Sequence, residues 1–146
     1  MDDEATRARP APGAWSPLEV MGHLVDSASN NHQRFVRALE REDLVFDGYD
    51  QDAWVRRNGY RELDWSFLVS LWESYNLLLL AVVARIPADV LDRPRTRHNL
   101  DRIGWRPVAP DEPATLRQLV DDYYGHLRHH LEQIERTVAA AGDSPG

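Results

Sequence analysis

The stretch YYGHLRHHLEQI, residues 123–134, places three histidines within five positions of a chain that holds six in all. At about 100° per residue, Leu116, Leu119, Val120, Tyr123, Leu127, Leu131, Ile134 and Val138 form one apolar side of a helix, with Arg128, Glu132, Glu135 and Arg136 opposite. His126 and His130 fall on the edge of the apolar side, whereas His129 turns outward with the charges. Two imidazoles at i and i+4 project side by side, the spacing that lets both hold one ion; the same spacing also occurs on plain solvated surfaces. A third ligand would have to come from His23, His32 or His98. Leu127 follows His126, so the Glu of an HExxH motif is missing and a metalloprotease is disfavoured.

Working outward, boundary residues divide the chain into three long helices and two irregular connections. SPLE (16–19) reads as a capping box, with Ser16 as N-cap, Pro17 at N1 and Glu19 at N3, opening a helix to about residue 41. TLRQ (115–118) repeats that logic for a final helix to about 140, with Gly142 beyond it. A middle helix begins at Asp64 and ends near Ile86, because Pro87 bars continuation. Within it, LLLLAVVARI (77–86) reads as a core segment. DQDAWVRRN (50–58) predicts a short helix capped by Asp50. The connection 88–113, with four prolines, is long enough to be a covering or functional segment. The whole chain, 1–146, is expected to be one all-α domain, with 1–14 and 141–146 as flexible tails.

Composition narrows the chemistry. A formal charge of −7 with arginines scattered among acids argues against nucleic-acid binding. No cysteine excludes disulfides, a thiolate nucleophile and thiolate ligands, so a metal must be held by His, Asp or Glu. The acidic, Arg- and Pro-rich start lacks the apolar core of a secretory signal, and no run of 18 apolar residues suggests a membrane span; a cytoplasmic protein is expected.

The first long helix has three faces. Leu18, Met21, Leu24, Val25, Ala28, Phe35, Val36 and Leu39 form its apolar stripe, and Glu19, Asp26, Gln33, Arg37 and Glu40 a face expected to meet water. His32 lies within the stripe as a core or interface histidine. A polar strip, His23, Ser27, Asn30 and Arg34, is either solvated or the wall of a site.

Five segments together resemble the DinB/YfiT-like superfamily of helical-bundle metalloproteins: WSPLEVMGHLVDS (15–27), NNHQRFVRAL (30–39), YDQDAWV (49–55), LW..YN (71–76) and DYYGHLRHHLEQI (122–134). The pairing of GHLVDS with HLRHHLEQI a hundred residues later is its specific part. The resemblance implies an up-and-down four-helix bundle in which His23, His126 and His130 hold one divalent metal. Zinc or nickel is expected, with iron, manganese or copper also compatible with three imidazoles. A long helix ordinarily precedes the Trp-Ser motif in that family; here most of it is missing, and EATRARPAPGA is a poor helix former. The apolar groove so exposed predicts a homodimer, or else an unstable monomer.

The resemblance also implies chemistry: transfer of a low-molecular-weight thiol to an electrophilic small molecule, with Arg34 as an anchor for a substrate carboxylate. A hydrolase using metal-bound hydroxide is the alternative, and it would want a carboxylate base from Asp26, Asp50 or Asp122. Asp122, four residues before His126, could instead orient that imidazole. A non-catalytic metal-binding module is the third reading.

Overall fold

A computed structural model describes residues 3–142. Its helices are α1 (Asp3–Arg7), α2 (Pro17–Ala38), α3 (Gln51–Asn58), α4 (Trp65–Ala84), α5 (Ala88–Asp92), α6 (Leu100–Ile103) and α7 (Leu116–Gly142), with a 3₁₀ turn at Tyr60–Glu62. Among the described residues there is no strand, only the isolated bridges Leu44 to His98 and Arg95 to Ala114.

Local chemistry sets the helix starts where the sequence places them. Ser16 N–H donates to Glu19 Oε2 at 2.9 Å while Glu19 N–H donates to Ser16 Oγ at 3.3 Å, closing the capping box of α2. Thr115 and Gln118 exchange the equivalent bonds, 2.8 and 3.2 Å, at the start of α7. Asp50 and Asp64 each accept one N–H at 3.0 Å, from Ala53 and Phe67, to start α3 and α4. Gly59, at φ 63°, ends α3 in the left-handed conformation that glycine adopts without a Cβ penalty.

Helix α2 is the centre of the fold, packed against α4 on one side and α7 on the other. That position buries it on nearly every face. Leu18, Leu24, Ala28 and Phe35 are core residues, and so are Glu19 and Asp26, at 5% and 3% exposure, which the sequence assigned to water. Both acids have found partners. Glu19 takes Arg9 Nη2 at 2.5 Å in addition to its capping bonds, and Asp26 Oδ1 accepts from Tyr60 Oη at 2.5 Å and Asn58 Nδ2 at 2.9 Å. The Tyr60 ring reaches Asp26 by lying directly on the Gly22 backbone, one helical turn before it.

The N-terminal residues are not a free tail. α1 stands before Trp15, where the resemblance implies a long helix; it docks on α2 and α7, buries Thr6, and sends Arg7 Nη2 to the carbonyl of Leu63 at 3.1 Å. At the other end α7 continues through Ala141 and Gly142; residues 143–146 of the expected C-terminal tail lie outside the described residues, as do residues 1 and 2.

The connection after α4 is a strap over the end of α2. Arg95, 3% exposed, donates Nη1 to the carbonyls of Ala38 and Arg41 at 3.0 and 3.1 Å, satisfying acceptors at the α2 C-terminus where cations are favoured. Asn99 pairs with Phe46 through both its amide atoms, 3.1 and 2.7 Å, in the manner of a strand neighbour.

Helix α4 departs most from expectation. Only Leu68 and Leu79 along it are buried, while Phe67, Leu71, Leu77, Leu78 and Leu80 are 39–62% exposed. It is not the core helix that its composition suggests. Over Trp65–Ala84 it is also long and apolar enough to cross a bilayer by length and composition alone, although its longest unbroken apolar run is only Leu77–Ala84. A helix apolar on every side is ordinarily covered on every side.

Candidate metal centre

His23 from the second turn of α2 and His126 and His130 from successive turns of α7 meet where the two helices pack. Their Nε2 atoms converge: His126 lies 3.2 Å from His23 and 3.0 Å from His130, and the three ligand atoms fall within 4.8 Å of one another. His130 donates Nδ1–H to Gln133 Oε1 at 2.8 Å, which leaves the lone pair of its Nε2 facing the cluster. Burial, then the charges of His130 and His126, holds His23 down at about 3; burial, then His130 and His129, holds His126 at about 4. Burial also lowers His130, against the opposing bond from Gln133. Neutral imidazoles are the form in which histidine binds metal. Neutral rings cannot satisfy three nitrogens aimed at one point, since each contact needs a proton on one side, whereas one cation satisfies all three. The donor set fits a divalent ion with an open coordination position.

Two tryptophans flank the cluster. Trp15, immediately before the α2 cap, lies 5.0 Å from the His23 ring and 6.5 Å from that of His130. Trp105 lies 6.1 Å from His126 and 5.4 Å from His129. It can lie there because position 125 is glycine: a Cβ would come within 3.1 Å of the indole. Asp122 fixes that segment by accepting the backbone N–H groups of Trp105 and Arg106 at 2.9 and 2.7 Å. It therefore positions the Trp105 segment and makes no bond to His126, contrary to the orienting role considered from its spacing.

A cavity of about 250 Å³ opens on His23 and His126, walled by Ser27, Asn31, Arg34, Tyr49, Trp105 and Asp122 among others. The polar strip of α2 is thus a wall and not a solvated face, with Asn31 in place of Asn30. Arg34, 6% exposed, donates to the carbonyl of Asp47 at 3.0 Å and has no carboxylate within ion-pair distance among the described residues. Burial raises the Tyr49 phenol to about 12, so it remains a hydroxyl.

The other candidates separate. Asp26 is held by the Tyr60 hydroxyl and does not line the cavity; burial raises its acid to about 6 in spite of the Tyr60 and Asn58 bonds. Asp50 is occupied as the α3 cap. His32 pairs with Tyr75 Oη at 3.2 Å, His98 with the carbonyl of Glu112 at 2.7 Å, and His129 is exposed. Gln133, Trp15, Trp105 and Tyr49 were missed in the sequence. Only Gln133, three residues after His130, carried a spacing that could have revealed it.

Comparison with known proteins agrees with this architecture. A profile described as the DinB superfamily matches residues 1–134. A Bacillus subtilis protein named "Putative metal-dependent hydrolase YfiT" is 25% identical over 122 residues, 84% of this chain and 63% of its own length. A similarly named Bacillus licheniformis protein is 24% identical over 123 residues, 84% of this chain and 64% of its own. The chain thus spans just under two thirds of these relatives. The solved structure of Bacillus subtilis YfiT, described as having an unusual four-helix bundle topology, superposes with a TM-score of 0.78 at 23% identity, covering 99% of this chain and 77% of that one. An all-helical fold of that type, matched by the family profile over nearly its whole length, makes this chain a member of the DinB superfamily.

Proposed function

We propose that the protein is a cytosolic metal-dependent enzyme that transfers a low-molecular-weight thiol to an electrophilic small molecule. The observation that carries this reading is a cluster of three neutral imidazoles, two of which line a cavity with no uncommitted carboxylate base. Asp26 is held by Tyr60, Asp50 caps α3, and both Asp122 oxygens accept backbone amides. A divalent ion held by His23, His126 and His130, zinc or nickel foremost, would supply a Lewis acid able to make a thiol or a water nucleophilic near neutral pH. The chain's own residues do the rest. Gln133 fixes the His130 tautomer, Trp15 and Trp105 flank the cluster on two sides, and Arg34 offers a buried cation to an anionic part of the substrate.

Hydrolysis is the second reading, favoured by the names of the two Bacillus relatives. Metal-loaded protein supplied with a general electrophile and a panel of low-molecular-weight thiols separates the two. Thiol-dependent adduct formation is expected; turnover of an ester or amide without any thiol would replace transfer with hydrolysis, and neither activity would leave a metal-binding module.

The same reading includes a homodimer through α4. Its exposed Leu77, Leu78 and Leu80 form an apolar face on a stretch with no charged side chain between Glu73 and Arg85, which a second copy could cover.

A further inference from the structure

Beyond the histidine cluster, arginines gather in a way the composition does not explain. The cavity at His23 and His126 continues, through Arg34 and Arg102, into an outer hollow of about 450 Å³ that is also lined by Arg37 and Arg41. Four arginines thus line one hollow of a chain whose net charge is −7.

Two of the four, Arg34 and Arg37, have only neutral partners. Arg34 has the Asp47 carbonyl at 3.0 Å, and Arg37 has the Gln33 side-chain oxygen at 3.2 Å. Arg41 donates to the Val45 carbonyl at 2.9 Å and stands 3.7 Å from Asp43; Arg102 stands 3.9 Å from Asp101. Among the described residues, neither Arg34 nor Arg37 has a carboxylate within ion-pair distance. Asp47 is the one acid on the wall of the hollow, and it is exposed. Arg34 is the informative member. Burying a guanidinium without a counter-charge is costly, and burial here already lowers its pKa against the attraction of Tyr49 and Asp122. A fork of donors held on a cavity wall matches a carboxylate or phosphate in two bonds.

We infer that Arg34 and Arg102, extended outward by Arg37 and Arg41, form a subsite for a small molecule bearing two oxyanion groups, carboxylate or phosphate, whose far end reaches the three histidines. Two groups are required because the arginines divide between the neck shared by both cavities and the outer hollow. Only the orientation of the ligand, reacting end toward the histidines, rests on the proposed function; the anion binding does not.

The test uses the full chain stripped of metal by a chelator, so that no ion competes for the anion. Succinate, pyrophosphate and acetate are titrated calorimetrically. Succinate or pyrophosphate is expected to bind at least about ten-fold more tightly than acetate, the gain of a second charge-assisted contact, and the tighter of the two identifies the ligand as a carboxylate or a phosphate compound. Arg102→Ala and Arg37→Ala, both at exposed positions, are each expected to weaken that probe by about ten-fold. Arg34→Gln is expected to abolish binding, and Arg56→Ala, an exposed arginine outside both cavities, to leave it unchanged. Equal binding of all three probes, no binding of any, affinity indifferent to both exposed arginines, or loss of binding in Arg56→Ala would each overturn the subsite. Intact anion binding in a protein that takes up no metal would sink the metal reading alone.

Discussion

The Nε2 atoms of His23 and His126 stand 3.2 Å apart although 103 residues of chain separate them. Two neutral rings at that distance can share one proton, but with His130 Nε2 also 3.0 Å from His126 Nε2 one proton cannot serve all three nitrogens, whereas one cation can. His23→Ala and His126→Ala are each expected to abolish stoichiometric binding of zinc or nickel, measured by elemental analysis of untagged protein. His129→Ala, which removes an exposed ring, should keep full occupancy. At 100-fold excess over its Kd a bound metal should stabilise the fold by about 2.7 kcal/mol. Unchanged metal content and melting temperature in His126→Ala would eliminate the centre.

Asp26 sets a pH dependence of its own. Burial raises its acid from 3.8 to about 6, so the folded state holds the proton more tightly than the unfolded chain. The resulting stabilisation is complete below about pH 3.8 and is lost as the pH rises through about 6. Asp26→Asn keeps an acceptor for Tyr60 and Asn58 without the charge. It should gain on the wild type by roughly 2–3 kcal/mol between pH 4 and pH 8 in urea titrations. The histidine cluster, whose pKa values are lowered, destabilises the metal-free protein in the opposite direction, as the pH falls below about 6.5. That contribution is common to both proteins and cancels in their difference. A pH-independent difference would refute the assignment.

Gly22 supports the Tyr60 ring, and a Cβ there would lie 2.1 Å from two of its carbons. Gly22→Ala must displace the ring and with it the 2.5 Å bond to Asp26, at a combined cost of about 3 kcal/mol. Tyr60→Phe keeps the ring and loses only the hydroxyl's bonds, the one to Asp26 and the one it accepts from Asn58 Nδ2 at 3.1 Å, about 1–2 kcal/mol. Equal thermal stability of Gly22→Ala and wild type would show that the ring does not pack there.

The exposed side of α4 predicts self-association. Leu77 and Leu80, 62% and 52% exposed, make few contacts within the chain, so Leu77→Glu combined with Leu80→Glu should leave the fold intact by circular dichroism. Sedimentation velocity should then show a dimer for wild type and a monomer for the double variant. A wild-type protein that is monomeric, or that partitions into detergent or lipid vesicles instead, would displace the dimer.

The sequence by itself determined the helices and part of the site. Helix starts are local events, and Ser16 with Glu19, or Thr115 with Gln118, lie close enough in the chain to be read directly. The same holds for His126 and His130, one turn apart on one helix, and for the outward turn of His129. His23 could be joined to them only by resemblance, because periodicity does not say which faces of two helices meet. Tertiary structure decided the rest. It buried Glu19 and Asp26 by placing α2 between α4 and α7, and it left α4 half-covered despite the most apolar run in the chain. It also brought Arg102 from the strap opposite Arg34. Burial depends on what packs against a face, and that is settled by contacts between residues far apart in sequence, where no spacing rule reaches.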